Sequence, residues 1–166
     1  MSLHTTVADQ LETAFEKRRG ISRLEIRDNL AQIHISQLDG NLADARLEVL
    51  KLVADANFSI DFVKLTPSGF SFLVDGSMAT QLDDLLKQGG VHFSIAPRQS
   101  IVLVTAVNMR DEEGLLARVV SLAIATGAPI AHLADMHDQL LVVTDHDGAR
   151  TIADRLKQLM EEQLEG

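Results

Sequence analysis

The sequence predicts an α+β fold built from two ferredoxin-like units, each a βαββαβ arrangement with an antiparallel sheet and its helices on one face. Three observations predict it. From Ala31 to Ala96, strand-type and helix-type patterns follow one another in the order β-α-β-β-α-β. A shift of 70 positions lays the second half of the chain on the first without a gap. It places Asp154-Arg155-Leu156-Lys157-Gln158 on Asp84-Leu85-Leu86-Lys87-Gln88, and Asp145, Ile130, Leu122 and Val119 on Asp75, Ile60, Leu52 and Val49. Finally, no strand follows the last helix of the second copy, Gly148–Gln163, while one strand-like stretch, Ile21–Arg27, is left over to complete it.

Each element has a local reason. Thr6–Arg19 reads as a helix, with Val7, Leu11, Ala14 and Phe15 at helical spacing, a basic end at Lys17-Arg18-Arg19 and Gly20 as its stop. Ile21–Arg27 reads as a short strand closed by the turn signal Asp28-Asn29, and Ala31–Leu38 as the next strand. Ala43–Ala56 is a helix whose buried side is Ala45, Leu47, Val49, Leu50, Leu52 and Val53. Phe58–Leu65 and Phe70–Val74 are strands on either side of Thr66-Pro67-Ser68-Gly69. Met78–Gln88 is a helix closed by Gly89-Gly90, Val91–Ala96 is a strand, and Pro97 ends the first copy. The second opens with the strand Ile101–Val107, a polar loop Asn108–Glu113, and a helix from Gly114 that Gly127 stops. The expected division is 1–20 as a helical tether, 21–28 as the completing strand, 30–97 as the first unit and 98–166 as the second.

Composition narrows the function. Hydrophobic residues make up 46% of 166 and charged residues 23%, enough for packed cores, and no apolar run is long enough for a membrane span. The start, MSLHTTVADQ, lacks the pattern of a signal peptide, so the cytoplasm is expected. There is no cysteine, which excludes disulfides, thiolate nucleophiles and cysteine zinc sites. A net charge of −9 without Trp or Tyr argues against a nucleic-acid surface. No nucleophile triad, P-loop or glycine-rich dinucleotide loop is present, so no catalytic residue and no cofactor is expected. His132, His137 and His146 fall in the second unit, but off helical metal-ligand spacing, and no metal is expected.

The loop before the second-unit helix is the candidate site. A strand running into a loop and a helix start leaves backbone N–H groups free to seat a carboxylate. Asn108, Arg110 and Asp111 are placed to hold the ammonium and carboxylate of a small ligand, with the N–H groups of Gly114 and Leu115 facing the same space. Met109 and Ile130 complete the expected ligand-binding set. The plainer alternative makes Asp111, Glu112 and Glu113 a helix cap and Arg110 a surface ion-pair partner.

The residues resemble a family. Val107-Asn108-Met109-Arg110 with Gly114 and Ala117-Arg118 is similar to the V-G-M-R-x-x-P-G-x-A-A-R run of the paired ACT domains at the C-terminus of aspartate kinases. Leu52–Asp61, LVADANFSID, resembles that family's L-A-D-A-N-I-N-V-D. The likeness spans residues 21–166 with no kinase domain before it, as in the regulatory subunit that some aspartate kinases make separately, or in a diverged stand-alone relative. It implies a non-catalytic regulator that binds an amino acid or related metabolite and acts on an amino-acid biosynthetic enzyme such as aspartate kinase. It also implies a two-fold homodimer. The alternative is an interaction protein that kept the assembly surfaces and lost the ligand. The first unit departs from the family pattern: Asp44 replaces a loop glycine, Arg46 a small residue and Leu65 a glutamine, and in the second unit Pro129 replaces an asparagine. These departures imply that the usual lysine or threonine pocket is lost.

Overall fold

Two long strands carry the architecture. The computed structural model describes residues 20–107, 109 and 112–165, so the expected helix Thr6–Arg19 lies outside the described residues. The order is β1 (Ile21–Ile35), α1 (Leu42–Asp55), β2 (Asp61–Thr66), β3 (Gly69–Asp75), a 3-10 turn (Gly76–Met78) and α2 (Ala79–Gln88). Then follow β4 (Phe93–Ala106), α3 (Leu115–Ala125), β5 (Ile130–Met136), β6 (Gln139–Asp145) and α4 (His146–Glu165). The strands hydrogen-bond in the order β2-β3-β1-β4-β6-β5.

Two sequence expectations are corrected. Asp28-Asn29 does not end a strand, because β1 runs through it, with Asn29 at φ 58. Pro97 does not end one either, because β4 runs through it, with Arg98 at φ 53. In each case pairing overrides local turn chemistry. Ser100 Oγ, fully buried, donates to Asp28 Oδ1 at 2.6 Å, so Asp28 meets β4 where the sequence signalled a turn. Asparagine tolerates the left-handed region better than most residues, so the chain can reset its pleat there without breaking the ladder. The second strand of the first unit is also shifted, from the expected Phe58–Leu65 to Asp61–Thr66, with an irregularity between Asp61 and Lys64.

The chain divides into two compact units, residues 28–100, and residues 20–27 with 101–165. In the first unit β1 pairs antiparallel with β3 from Leu30↔Asp75 to Ile35↔Phe70, and β2 pairs antiparallel with the other side of β3. Ala31, Ile33 and Ile35 on β1 and Phe70, Phe72 and Val74 on β3 alternate toward one face. They pack there with Val49 and Val53 of α1 and Leu82 and Leu86 of α2.

No strand follows α4 among the described residues, and Ile21–Arg27 belongs to the second unit beside β4, with Ser22 Oγ donating to Thr105 O at 3.1 Å. Its core is Val102, Val104 and Ala106 of β4, Leu140 and Val142 of β6, Val119 and Ala123 of α3, and Ile152 and Leu156 of α4. Positions matched by the 70-residue shift share their environment. Leu86 and Leu156 are both fully buried, as are Val49 and Val119 to within a few per cent. Asp75 and Asp145 share a task as well. Asp75 Oδ1 accepts from the Ser77 N–H at 2.9 Å, and Asp145 Oδ1 from the Gly148 N–H at 2.6 Å, so each caps the turn that starts a helical segment. The Ser77 hydroxyl and N–H hold the Asp75 carboxyl below its ordinary value. That cap is present above the unfolded carboxylate range and is lost as pH falls through the depressed folded value.

Candidate functional site

The loop between β4 and α3 is held from three sides. Met109 is buried in the second-unit core, and Leu115 is buried beside it as the first residue of α3. Ile130, first residue of β5 and paired with Thr144, packs partly buried against the same cluster. The side chains of Met109 and Leu115 thus lie in one core and Ile130 packs against it, which holds the loop in place. Gly114 stands at the helix start with φ 76, and among the described residues, its chain neighbours aside, no atom lies within 4 Å of where a Cβ would be. A left-handed turn is needed there and the space above it is open, as close approach of a ligand requires. The Leu115 N–H already meets the Glu112 carbonyl at 3.2 Å, so it is engaged within the loop. Asn108, Arg110 and Asp111 lie outside the described residues.

Glu112 has a role that its sequence position does not signal. Its Oε2 accepts the N–H of Gly20 at 2.8 Å, across 92 residues, at the entrance to β1. Gln163, near the end of α4, accepts the neighbouring Ile21 N–H through Oε1 at 3.2 Å. Gly20 is buried with φ 85, and a Cβ there would fall within 2.5 Å of the Gln163 amide, so glycine is what lets that amide close over the strand start. The Glu112 carboxylate thus ties the loop to β1 instead of capping α3.

The corresponding helix start in the first unit is satisfied internally. Asn41 caps α1, its Oδ1 accepting the Asp44 N–H at 3.0 Å, and Asp44 lies in the first turn, where the helix dipole favours an anion. Arg46 reaches from α1 to the β2–β3 turn: Nε donates to Gly69 O at 2.9 Å and Nη2 to Thr66 O at 2.5 Å. Beside it the Thr66 hydroxyl oxygen is buried without a hydrogen-bond partner. Leu65, at the place of a polar family residue, is 61% exposed. Pro129 contributes its carbonyl, which accepts from Thr144 Oγ1 at 2.9 Å.

The histidines do not converge. His132 pairs opposite Val143 on β5, His137 is exposed with Nε2 3.7 Å from Asp138 Oδ1, and His146 opens α4. Among the described residues no three metal-ligating side chains come together. No helix among them is long and apolar enough to cross a membrane.

No protein-family model and no curated protein sequence matches the chain. Solved structures do. The regulatory subunit of aspartate kinase from Thermus thermophilus, in its ligand-free form, superposes with a TM-score of 0.72 at 16% identity, covering 84% of this chain and 97% of that one. The regulatory subunit from Thermus flavus gives 0.71 at 18% identity, over 84% and 98%. A C-terminal regulatory domain of aspartate kinase from Porphyromonas gingivalis gives 0.66 at 13%, over 82% and 94%. The fold is that of these regulatory regions, two ferredoxin-like units in one chain, as the sequence resemblance implied.

Proposed function

We propose that this chain is a non-catalytic regulatory protein that binds an amino acid or related small metabolite and modulates a partner enzyme, aspartate kinase. The observation that carries this reading is the match to solved regulatory subunits over nearly their whole length. The ligand seat is Asn108–Leu115, with Arg110 as the cation and the open space at Gly114 as the point of close approach. The first-unit helix start does not take free lysine or threonine, because Asp44 would repel their carboxylate and Arg46 is committed to the β2–β3 turn. The protein works in the cytoplasm and needs no cofactor.

The experiment is chemical denaturation with and without a panel of free amino acids. A ligand at about 100 times its Kd adds about 2.7 kcal/mol to the unfolding free energy. Arg110→Ala is expected to abolish the stabilisation by a ligand seated in the loop, whereas Asp44→Gly leaves it intact. Stabilisation that survives Arg110→Ala and disappears on changing Asn41 would mean that the seat is in the first unit. Stabilisation by no amino acid would favour the second reading, an assembly protein without a ligand, which the internally satisfied first-unit helix start also supports.

We further infer a two-fold homodimer. β2 ends the strand order and leaves Val63 50% and Leu65 61% exposed, an edge that a second copy would cover. Sedimentation at micromolar concentration is expected to show twice the 18.1 kDa chain mass. A purely monomeric boundary would refute it.

A further inference from the structure

We infer that the cleft between α3 and α4 is a binding site for a small zwitterionic aliphatic amino acid, separate from the loop seat and not resting on that reading. The cleft has a volume of about 210 Å³ and is lined by Arg118, Leu122, Arg155, Gln158, Leu159 and Glu162. That is room for a small metabolite.

The lining has the chemistry of such a ligand in complement. Arg118 and Leu122 stand one turn apart on α3. Arg155, Gln158, Leu159 and Glu162 form one stripe on α4, at i, i+3, i+4 and i+7. Two guanidinium groups, two leucines and one carboxylate thus line one cleft. In a chain of net charge −9, a pair of arginines in one cleft is a local reversal of sign that draws an anion in. Among the described residues no ion pair neutralises Arg118, Arg155 or Glu162. Arg155 Nη1 is steadied by Gln158 Oε1 at 2.8 Å, a neutral acceptor that orients the guanidinium and leaves its charge available. The guanidinium fork suits a carboxylate, Glu162 suits an ammonium, and Leu122 with Leu159 suits an aliphatic side chain. A carboxylic acid without the amine forgoes the ammonium contact to Glu162, and an amine without the carboxylate forgoes the contact to the arginines.

The test is calorimetric titration of the full chain with L-leucine, with its keto acid 4-methyl-2-oxopentanoate, and with 3-methylbutylamine. L-leucine is expected to bind saturably at millimolar concentration, and each analogue about tenfold more weakly or worse. Arg118→Gln and Arg155→Gln should each weaken L-leucine about tenfold or more. Glu162→Gln should weaken L-leucine and leave the keto acid no weaker. These side chains are exposed, and unchanged thermal unfolding of the variants without ligand is the check that they fold. In Arg110→Ala, which removes the cation of the loop seat, saturable L-leucine binding that depends on Arg118 and Arg155 should persist. The proposal is overturned by no saturable heat from L-leucine, by binding indifferent to both arginine variants, by binding lost in Arg110→Ala, or by a keto acid that binds as tightly as L-leucine.

Discussion

Phe72→Ala is expected to destabilise the protein by about 3–5 kcal/mol, the largest effect of any single truncation considered. Phe72 is fully buried on β3, opposite Ile33, in the core closed by α1 and α2. Its ring stacks on that of Phe70, with centroids 5.7 Å apart and planes at 27°, an arrangement worth about 0.5–1.5 kcal/mol beyond area burial. Truncation removes both and leaves a cavity between a strand and two helices that cannot all close in. Leu65→Ala on the neighbouring strand β2 is the control, because a side chain 61% exposed has little burial to lose and its effect should stay within about 0.5 kcal/mol. Urea denaturation followed by circular dichroism reads both. Equal shifts of the midpoint would mean that β3 is not the centre of the first-unit core.

Gly69→Ala is expected to cost about 3 kcal/mol or more, although it adds a single methyl group. A Cβ at Gly69 would stand 2.0 Å from the Ile35 carbonyl oxygen and 2.7 Å from its carbon. These are backbone atoms, so no rotamer change relieves the clash. Relief requires β3 to part from β1 at the Ile35↔Phe70 pair and pulls the Gly69 carbonyl from Arg46. Gly90→Ala is the comparison: Gly90 has φ 66 and nothing within 4 Å, so alanine there meets only left-handed backbone strain, about 1–2 kcal/mol. A Gly69→Ala cost no greater than that of Gly90→Ala would show that the strand pair yields easily.

The fold was largely legible because its signals are local and repeated. The alternation Ile33, Ile35 and Phe70, Phe72, Val74 needs only neighbouring residues to be read, and each set does line one face of the first-unit sheet. The helix stops at Gly89 and Gly127 are likewise written in single residues, and α2 and α3 end within two residues of them. The candidate site was less legible. Met109, Leu115 and Ile130 belong to the expected ligand set by sequence, and only the structure shows that the side chains of the first two are buried in the second-unit core and that Ile130 packs partly buried against it. A side chain beside a loop can face the ligand or the interior, and which of the two it does depends on where the sheet lies beneath it.

By itself, then, the sequence determined the unit and its duplication: the βαββαβ order, the 70-residue shift that puts Leu156 on Leu86 and Asp145 on Asp75, and the spare strand Ile21–Arg27. It did so because periodicity and capping are set by residues a few positions apart. Only the tertiary structure decided that Asp28-Asn29 and Pro97 are passages through long strands rather than breaks, and the Asp28 carboxylate finds its partner at Ser100, some 70 residues away. Only it bound Glu112 to Gly20, Gln163 to Ile21 and Arg46 to the Thr66 and Gly69 carbonyls. A polar side chain long enough to reach several backbone groups carries no sign in sequence of which it will meet, and that choice is made when the packed sheets and helices leave one donor or acceptor within its reach.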